Sequence, residues 1–68
     1  MNVVLEMTAL SISRPAADSP VESVAAWYEA KARLHEHLAA LGDTDHARER
    51  MLAASAHERS LSLLRSAA

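Results

Sequence analysis

Four histidines give this chain its widest range of possible chemistry, because imidazole binds metal ions and exchanges protons near neutral pH. They are His35, His37, His46 and His57. His35 and His37 are two residues apart, so on a helix that turns about 100° per residue their rings point to different sides and cannot share one ion. His46 and His57 share a helical face, but about three turns separate them. A histidine-dependent metal or ligand carrier is therefore the weakest of three functional hypotheses.

The carboxylates and hydroxyls also lack the spacing of a catalytic site. Glu22, Glu29 and Glu36 recur every seven residues, which is typical of the solvated face of a helix. The serines have no glycine-rich turn and no evident base beside them, and the chain contains no cysteine. We expect no catalytic residue, no metal ligand, no cofactor and no enzymatic activity.

The first long helix is predicted from its start signal. Ser19 is a typical cap residue, Pro20 suits the first helical position, and Glu22 completes a capping box. The helix-rich stretch that follows runs to Gly42, the only glycine of the chain. These signals predict a helix over about residues 20–41, ended by a left-handed glycine cap.

A second helix is predicted after the glycine. The run Asp43-Thr44-Asp45 offers cap residues and places acid at a helix N-terminus, which predicts a helix over about residues 44–65. Two helices joined by so short a connection lie antiparallel. The predicted fold class is all-α, with an antiparallel helical hairpin over residues 19–68.

Residues 1–18 are predicted to be an extended N-terminal segment and linker. Apolar residues alternate with polar ones at first, which favours a short β-strand, although helical spacing fits the same residues. Pro15 disfavours helix just before it. A lone strand has no partner within this chain, so it would add to the sheet of another protein. The residues predicted for this partner strand are Val3, Leu5 and Met7.

The hairpin helices carry more apolar surface than a hairpin can bury. Helix one has two adjacent apolar strips, so we expect it to contact two neighbours. Helix two has one apolar face with Met51 and Leu61, and a nearly opposite face with Leu52, Ala56 and Leu63, which we expect to remain exposed. Burying these faces favours a homodimer, a four-helix bundle with coiled-coil-like seams. The predicted interface residues are Val24, Trp27, Tyr28, Leu34, Leu38, Met51, Leu52, Ala56, Leu61 and Leu63.

Each apolar seam contains one charge, Lys31 in helix one and Glu58 in helix two. In a hairpin that turns at Gly42, residues whose numbers add to about 86 lie opposite each other. Lys31 and Glu58 miss this register by about one helical layer, a distance within reach of a lysine side chain. We therefore expect them to pair and to set the register. The alternative is that both side chains extend to solvent.

The net charge of −2 disfavours simple electrostatic binding of nucleic acid or anionic membrane. Abundant alanine and a preference for arginine over lysine are typical of a high-GC bacterial genome, and the lack of cysteine fits the cytoplasm. The apolar N-terminal stretch is too short to span a membrane. We expect a small interaction or regulatory module that binds itself and a second protein, as an adaptor, an antitoxin-like inhibitor or an assembly subunit. The alternative is a DNA-binding regulator, because a strand followed by two helices is the order found in ribbon–helix–helix repressors.

Overall fold

The computed structural model describes residues 2–42 and 45–67. Within them the chain forms three α-helices, α1 (Val3–Ile12), α2 (Val21–Leu41) and α3 (His46–Ala67). The prediction of an all-α fold is confirmed. The two long helices begin and end within two residues of their predicted bounds, because the signals at their ends are local.

Helix α1 begins at a side-chain cap. The side-chain oxygen of Asn2 accepts hydrogen bonds from the backbone N–H of Val4 at 3.0 Å and of Leu5 at 3.3 Å. Asparagine is among the strongest N-cap residues, and this bonding satisfies donors that the helix itself leaves free. The segment therefore has a helix start signal of its own.

The prediction of an extended N-terminal segment with a partner strand is wrong. Val3, Leu5 and Met7 lie in helix α1, so no strand is offered to a partner's sheet. The alternation of apolar residues there is compatible with both periods, and a helix satisfies its backbone groups internally whereas a strand needs a neighbour. Without a strand, the paired ribbon on which the DNA-binding hypothesis depended is absent from the described residues.

The predicted capping box at the start of α2 does not form. Pro20 occupies the cap position with φ −56° and ψ 145°, and no side chain bonds the first amides. The Pro20 carbonyl accepts hydrogen bonds from the backbone N–H of Ser23 at 3.0 Å and of Val24 at 3.2 Å. Glu22 lies in the first turn, where its charge still favours the helix dipole.

Gly42 ends α2 as predicted, in the left-handed conformation with φ 89°. Before α3, the Asp45 side chain accepts a hydrogen bond from the backbone N–H of Arg48 at 3.1 Å. The predicted acidic cap of the second helix is thus confirmed at Asp45. Asp43 and Thr44, the other two residues of that prediction, lie outside the described residues.

Small side chains form the contact between α2 and α3. The hydroxyl of Ser60, only 1% exposed, donates a hydrogen bond to the backbone carbonyl of Ala25 at 2.8 Å. So short a side chain reaches a neighbouring backbone only where the two helices pack closely. Among the described residues one large apolar side chain, that of Leu34, is buried, and the rest of the core is small. The buried residues are Ala25, Ala32, Leu34, Ala39, Ala53, Ala56 and Ser60.

The register of the hairpin follows the predicted rule closely. The numbers of Ala25 and Ser60, which are hydrogen-bonded, add to 85. Those of Glu29 and His57, also bonded across the hairpin, add to 86. The turn at Gly42 and the equal rise per residue of the two helices account for this register.

The prediction of which face of α3 stays outside is wrong. Ala56 is buried at 5% exposure, and Leu52 and Leu63 are half-buried on the same side. The opposite face is exposed, with Met51 at 72% and Leu61 at 37%. Both faces carry large apolar side chains, and the close helix approach selects the face with alanine and serine.

Helix α1 packs on the side of α2 that lies away from α3. The indole N–H of Trp27 donates to the backbone carbonyl of Leu10 at 2.9 Å, and His37 bonds Glu6. Leu34 falls between these two contacts along the same helical face, which accounts for its burial. The prediction that this helix contacts two neighbours is confirmed, and both neighbours belong to the same chain.

Candidate functional site: an aromatic and arginine cluster beside a cleft

The two aromatic residues of the chain form one cluster with two arginines. The rings of Trp27 and Tyr28 meet edge to face, with centroids 5.2 Å apart and planes at 86°. The guanidinium of Arg14 lies 5.6 Å from the Trp27 ring centroid, and that of Arg59 lies 5.9 Å from the Tyr28 centroid. Both distances suit cation–π attraction. We call these four residues the aromatic–arginine cluster.

Each helix and the first linker contribute to this cluster. Trp27 and Tyr28 are neighbours on α2, and the bond from Trp27 to Leu10 fixes the indole against α1. Arg14 leaves the end of α1 just before Pro15, which directs the linker back along α2. Arg59 reaches across the hairpin from α3. The cluster therefore exists only when all three helices are packed.

A cleft of about 220 Å³ opens beside the cluster. Its wall is partly charged and partly apolar, and linker residues form one side of it. The lining residues are Arg14, Pro15, Ala16, Ala17, Val24, Trp27 and Tyr28. A second cleft is lined by serines and alanines as well as Trp27. The first cleft alone combines aromatic rings with a cation.

All four histidines bond across helix boundaries through Nδ1. His35 on α2 bonds the Glu49 carboxylate on α3 at 2.7 Å, and His37 bonds the Glu6 carboxylate on α1 at 2.8 Å. The other two link α2 and α3, His57 to the Glu29 carboxylate and His46 to the Ala39 carbonyl. Since every partner is an acceptor, each Nδ1 carries the proton.

These histidines act as structural links. Among the described residues no group of three or more histidine or acidic side chains is arranged to hold a metal ion. In the same part of the chain no hydroxyl donates to any imidazole, and the buried Ser60 hydroxyl is engaged by a backbone carbonyl. These bonds tie neighbouring helices together.

The predicted pair of Lys31 and Glu58 does not form. Glu58 instead bonds Arg65 on its own helix at 3.1 Å, and both side chains are about two-thirds exposed. The numbers of Lys31 and Glu58 add to 89, about one helical turn away from the observed register, and Glu58 lies on the outer face of α3. A lysine on the flank of α2 does not span that separation.

The predicted interface residues fall into three groups. Leu34 and Ala56 are buried inside the chain. Met51 and Leu61 are exposed, and so are Leu5 and Met7 of the former strand prediction. Val3 of the former strand prediction is half-buried, and the half-buried interface members are Val24, Trp27, Tyr28, Leu38, Leu52 and Leu63.

Large apolar side chains are exposed on both outer helices. On α1, Val4 is 65% exposed, Leu5 66%, Met7 50% and Ile12 80%. On α3 the exposed residues include Met51, Leu61 and Leu64. We call the first set the α1 patch and the second the α3 patch. They lie on helices that pack against different sides of α2.

Sequence reasoning missed both the cross-helix histidine bonds and the arginines of the cluster. By the rule that opposite residues have numbers adding to about 86, His57 lies opposite Glu29. The numbers of His35 and Glu49 add to 84, so these two residues also lie nearly opposite each other. The sequence therefore indicated two of the bonds. The bond from His37 to Glu6 depends on α1 being a helix. The pairing of Arg14 with Trp27 depends on the path of the linker, for which the sequence has no signal beyond Pro15.

No described helix is both long and apolar enough to cross a membrane. Comparison with known proteins finds no matching protein family, no matching curated protein and no matching solved structure.

Proposed function

We propose that this protein is a small, non-enzymatic interaction module that works as a homo-oligomer, in the simplest case a homodimer. The supporting observation is the exposure of large apolar side chains on α1 and α3 while the core is made mainly of alanine. Such a module suits the role of an adaptor, an inhibitor that masks a partner, or an assembly subunit.

Helix α1 carries the strongest part of this argument. It has 10 residues, of which none is buried and one, Glu6, is charged. A helix with apolar side chains around most of its circumference is typically covered by protein on more than one side. Here α2 covers one side, so a further surface is expected to cover the α1 patch.

The energetics point the same way. Burying a leucine, isoleucine, valine or methionine side chain fully stabilises a protein by about 1.5–3 kcal/mol. Leu34 is the one large apolar residue among those described that is buried, while the others are half-buried or exposed. A 68-residue chain also has little surface to bury by itself. Covering the two patches in a second copy would add several such side chains. Association therefore supplies the stability that the small core lacks.

The test is the mass of the protein in solution for paired variants. Leu5→Glu adds a charge to the α1 patch at the third helical position after the Asn2 cap, where glutamate favours the helix. Met51→Glu adds one to the α3 patch, and glutamate matches methionine in helix propensity. We expect each to raise the dissociation constant of the oligomer at least about tenfold, a change of 1.4 kcal/mol.

Arg33→Gln is the matched control, because it changes the net charge by the same amount on the exposed side of α2. We expect its assembly to equal that of the unsubstituted protein. Circular dichroism confirms that each variant keeps its helices. Equal assembly in all four proteins would contradict the use of both patches.

A further inference from the structure

We propose that the cleft beside the aromatic–arginine cluster receives a carboxylate side chain from a short acidic segment of a second protein. The proposal rests on the proposed function only in that this chain binds another protein. It does not require self-association, which uses the patches on α1 and α3.

The size of the cleft selects the kind of occupant. Sites for small molecules and cofactors enclose about 300–1,000 Å³, whereas this cleft holds about 220 Å³. That volume suits one or two side chains better than a nucleotide or a cofactor. A partner segment that anchors a single residue there would have the rest of its contacts on the surrounding surface.

The charge of the cleft selects the side chain. Arg14 lines it, and Arg59 lies over the neighbouring ring. Among the described residues neither guanidinium forms an ion pair, in contrast to Arg65, which bonds Glu58. An arginine held on an aromatic ring keeps its donor edge available, and a carboxylate can accept two parallel hydrogen bonds from it. A cation in the cleft wall and a second on the adjoining Tyr28 ring favour an acidic occupant.

The residue types also suit a protein partner. Tryptophan, tyrosine and arginine are the residues most enriched among those that dominate binding energy at protein interfaces. This chain has one tryptophan and one tyrosine, and both are half-buried at the cleft. The remaining wall from Pro15, Ala16 and Val24 would cover the methylene groups of the acidic side chain.

Single-stranded nucleic acid is the other macromolecule that binds arginine and aromatic side chains. Base stacking uses the faces of aromatic rings, and one face of each ring is engaged by an arginine, Arg14 at Trp27 and Arg59 at Tyr28. The chain also carries a net charge of −2, which opposes a phosphate backbone. These observations favour the acidic peptide.

The first experiment is selection of random 12-residue peptides on the full chain. We expect the recovered peptides to be enriched in aspartate and glutamate next to apolar residues. Recovery of basic peptides, or of none, would overturn the proposal.

Binding in solution is then measured by the fluorescence of Trp27, the single tryptophan, which lines the cleft. The probes are the best selected peptide, the same peptide with glutamine for glutamate and asparagine for aspartate, free glutamate, and a 12-nucleotide oligothymidine. We expect a change in emission with the acidic peptide and at least about a tenfold weaker response with its amide counterpart, equal to a loss of 1.4 kcal/mol. Equal affinity for free glutamate would identify the ligand as a small anion, and tighter binding of the oligonucleotide would identify it as nucleic acid. Either result would overturn the proposal.

Variants locate the binding at the cluster. Arg14→Gln and Arg59→Gln should each weaken the acidic peptide at least about tenfold, and Arg14→Lys, which keeps the charge without the planar fork, should give an intermediate loss. Arg33→Gln is the control and should bind as the unsubstituted protein does. Trp27 is left unchanged because it also holds α1. Unaltered peptide affinity in both glutamine variants would overturn the proposal. Their oligomer mass is measured as well, and an unchanged mass shows that a change in peptide affinity does not come from a failure of self-association.

Discussion

At the scale of single residues, polar side chains link the three helices of this protein to one another. Each histidine bonds an acceptor on a neighbouring helix, and Ser60 bonds the backbone of α2. The pair of His35 and Glu49 is the least exposed of the histidine–glutamate pairs, at 15% and 14% for the two side chains. A half-buried hydrogen bond gains strength from the lower local dielectric and is costly to leave with one partner only.

Replacing Glu49 should therefore destabilise the chain. We expect Glu49→Gln to lower the free energy of unfolding in urea by about 1–3 kcal/mol, because it removes the charged partner of a half-buried imidazole. Glu36→Gln, on the exposed face of α2, is the control and should stay within about 0.5 kcal/mol of the original.

A double-mutant cycle with His35→Ala separates this bond from the effect of Glu49 on the α3 dipole. We expect a coupling energy of about 0.5–3 kcal/mol between the two positions. Additive effects of the two substitutions would show that the pair does not contribute to stability.

At the scale of helices, the ends of α2 and α3 could be predicted because glycine, proline and aspartate act locally. Helix α1 could not, since the alternation that suggests a strand also satisfies helical spacing. The face of α3 that turns inward was also beyond the sequence. Both faces carry large apolar side chains, so hydrophobicity does not choose between them, whereas close packing at Ser60 favours the alanine side.

Gly42 gives a sharp test of the hairpin turn. Its φ of 89° disfavours side chains, yet a Cβ added there meets nothing within 4 Å. The cost of a substitution is therefore conformational, and Gly42→Ala should lower the free energy of unfolding by about 1–2 kcal/mol.

A synthetic chain with D-alanine at position 42 is the matched control, because that residue prefers positive φ. It should equal or exceed the stability of the glycine chain, by about 0.4–1 kcal/mol at most. Equal losses with both alanine enantiomers in thermal unfolding would place the cause in a steric contact instead.

At the scale of the whole molecule, α2 lies between α1 and α3 in a flat body of about 38 × 22 × 16 Å. This body buries little large apolar surface and exposes the α1 and α3 patches on its outer helices. The prediction that apolar surface remains exposed is confirmed. The exposed residues are Met51, Leu61 and those on the outer side of α1, instead of Leu52 and Leu63. A folded chain of this design is expected to be most stable when another copy covers those patches.

Sedimentation equilibrium of the unsubstituted protein over a range of micromolar concentrations tests this claim most directly. With a chain mass of 7.4 kDa, we predict a mass of twice that value or a larger whole multiple, falling toward that of the single chain on dilution. A helical protein that sediments as a single chain at every concentration would contradict the account.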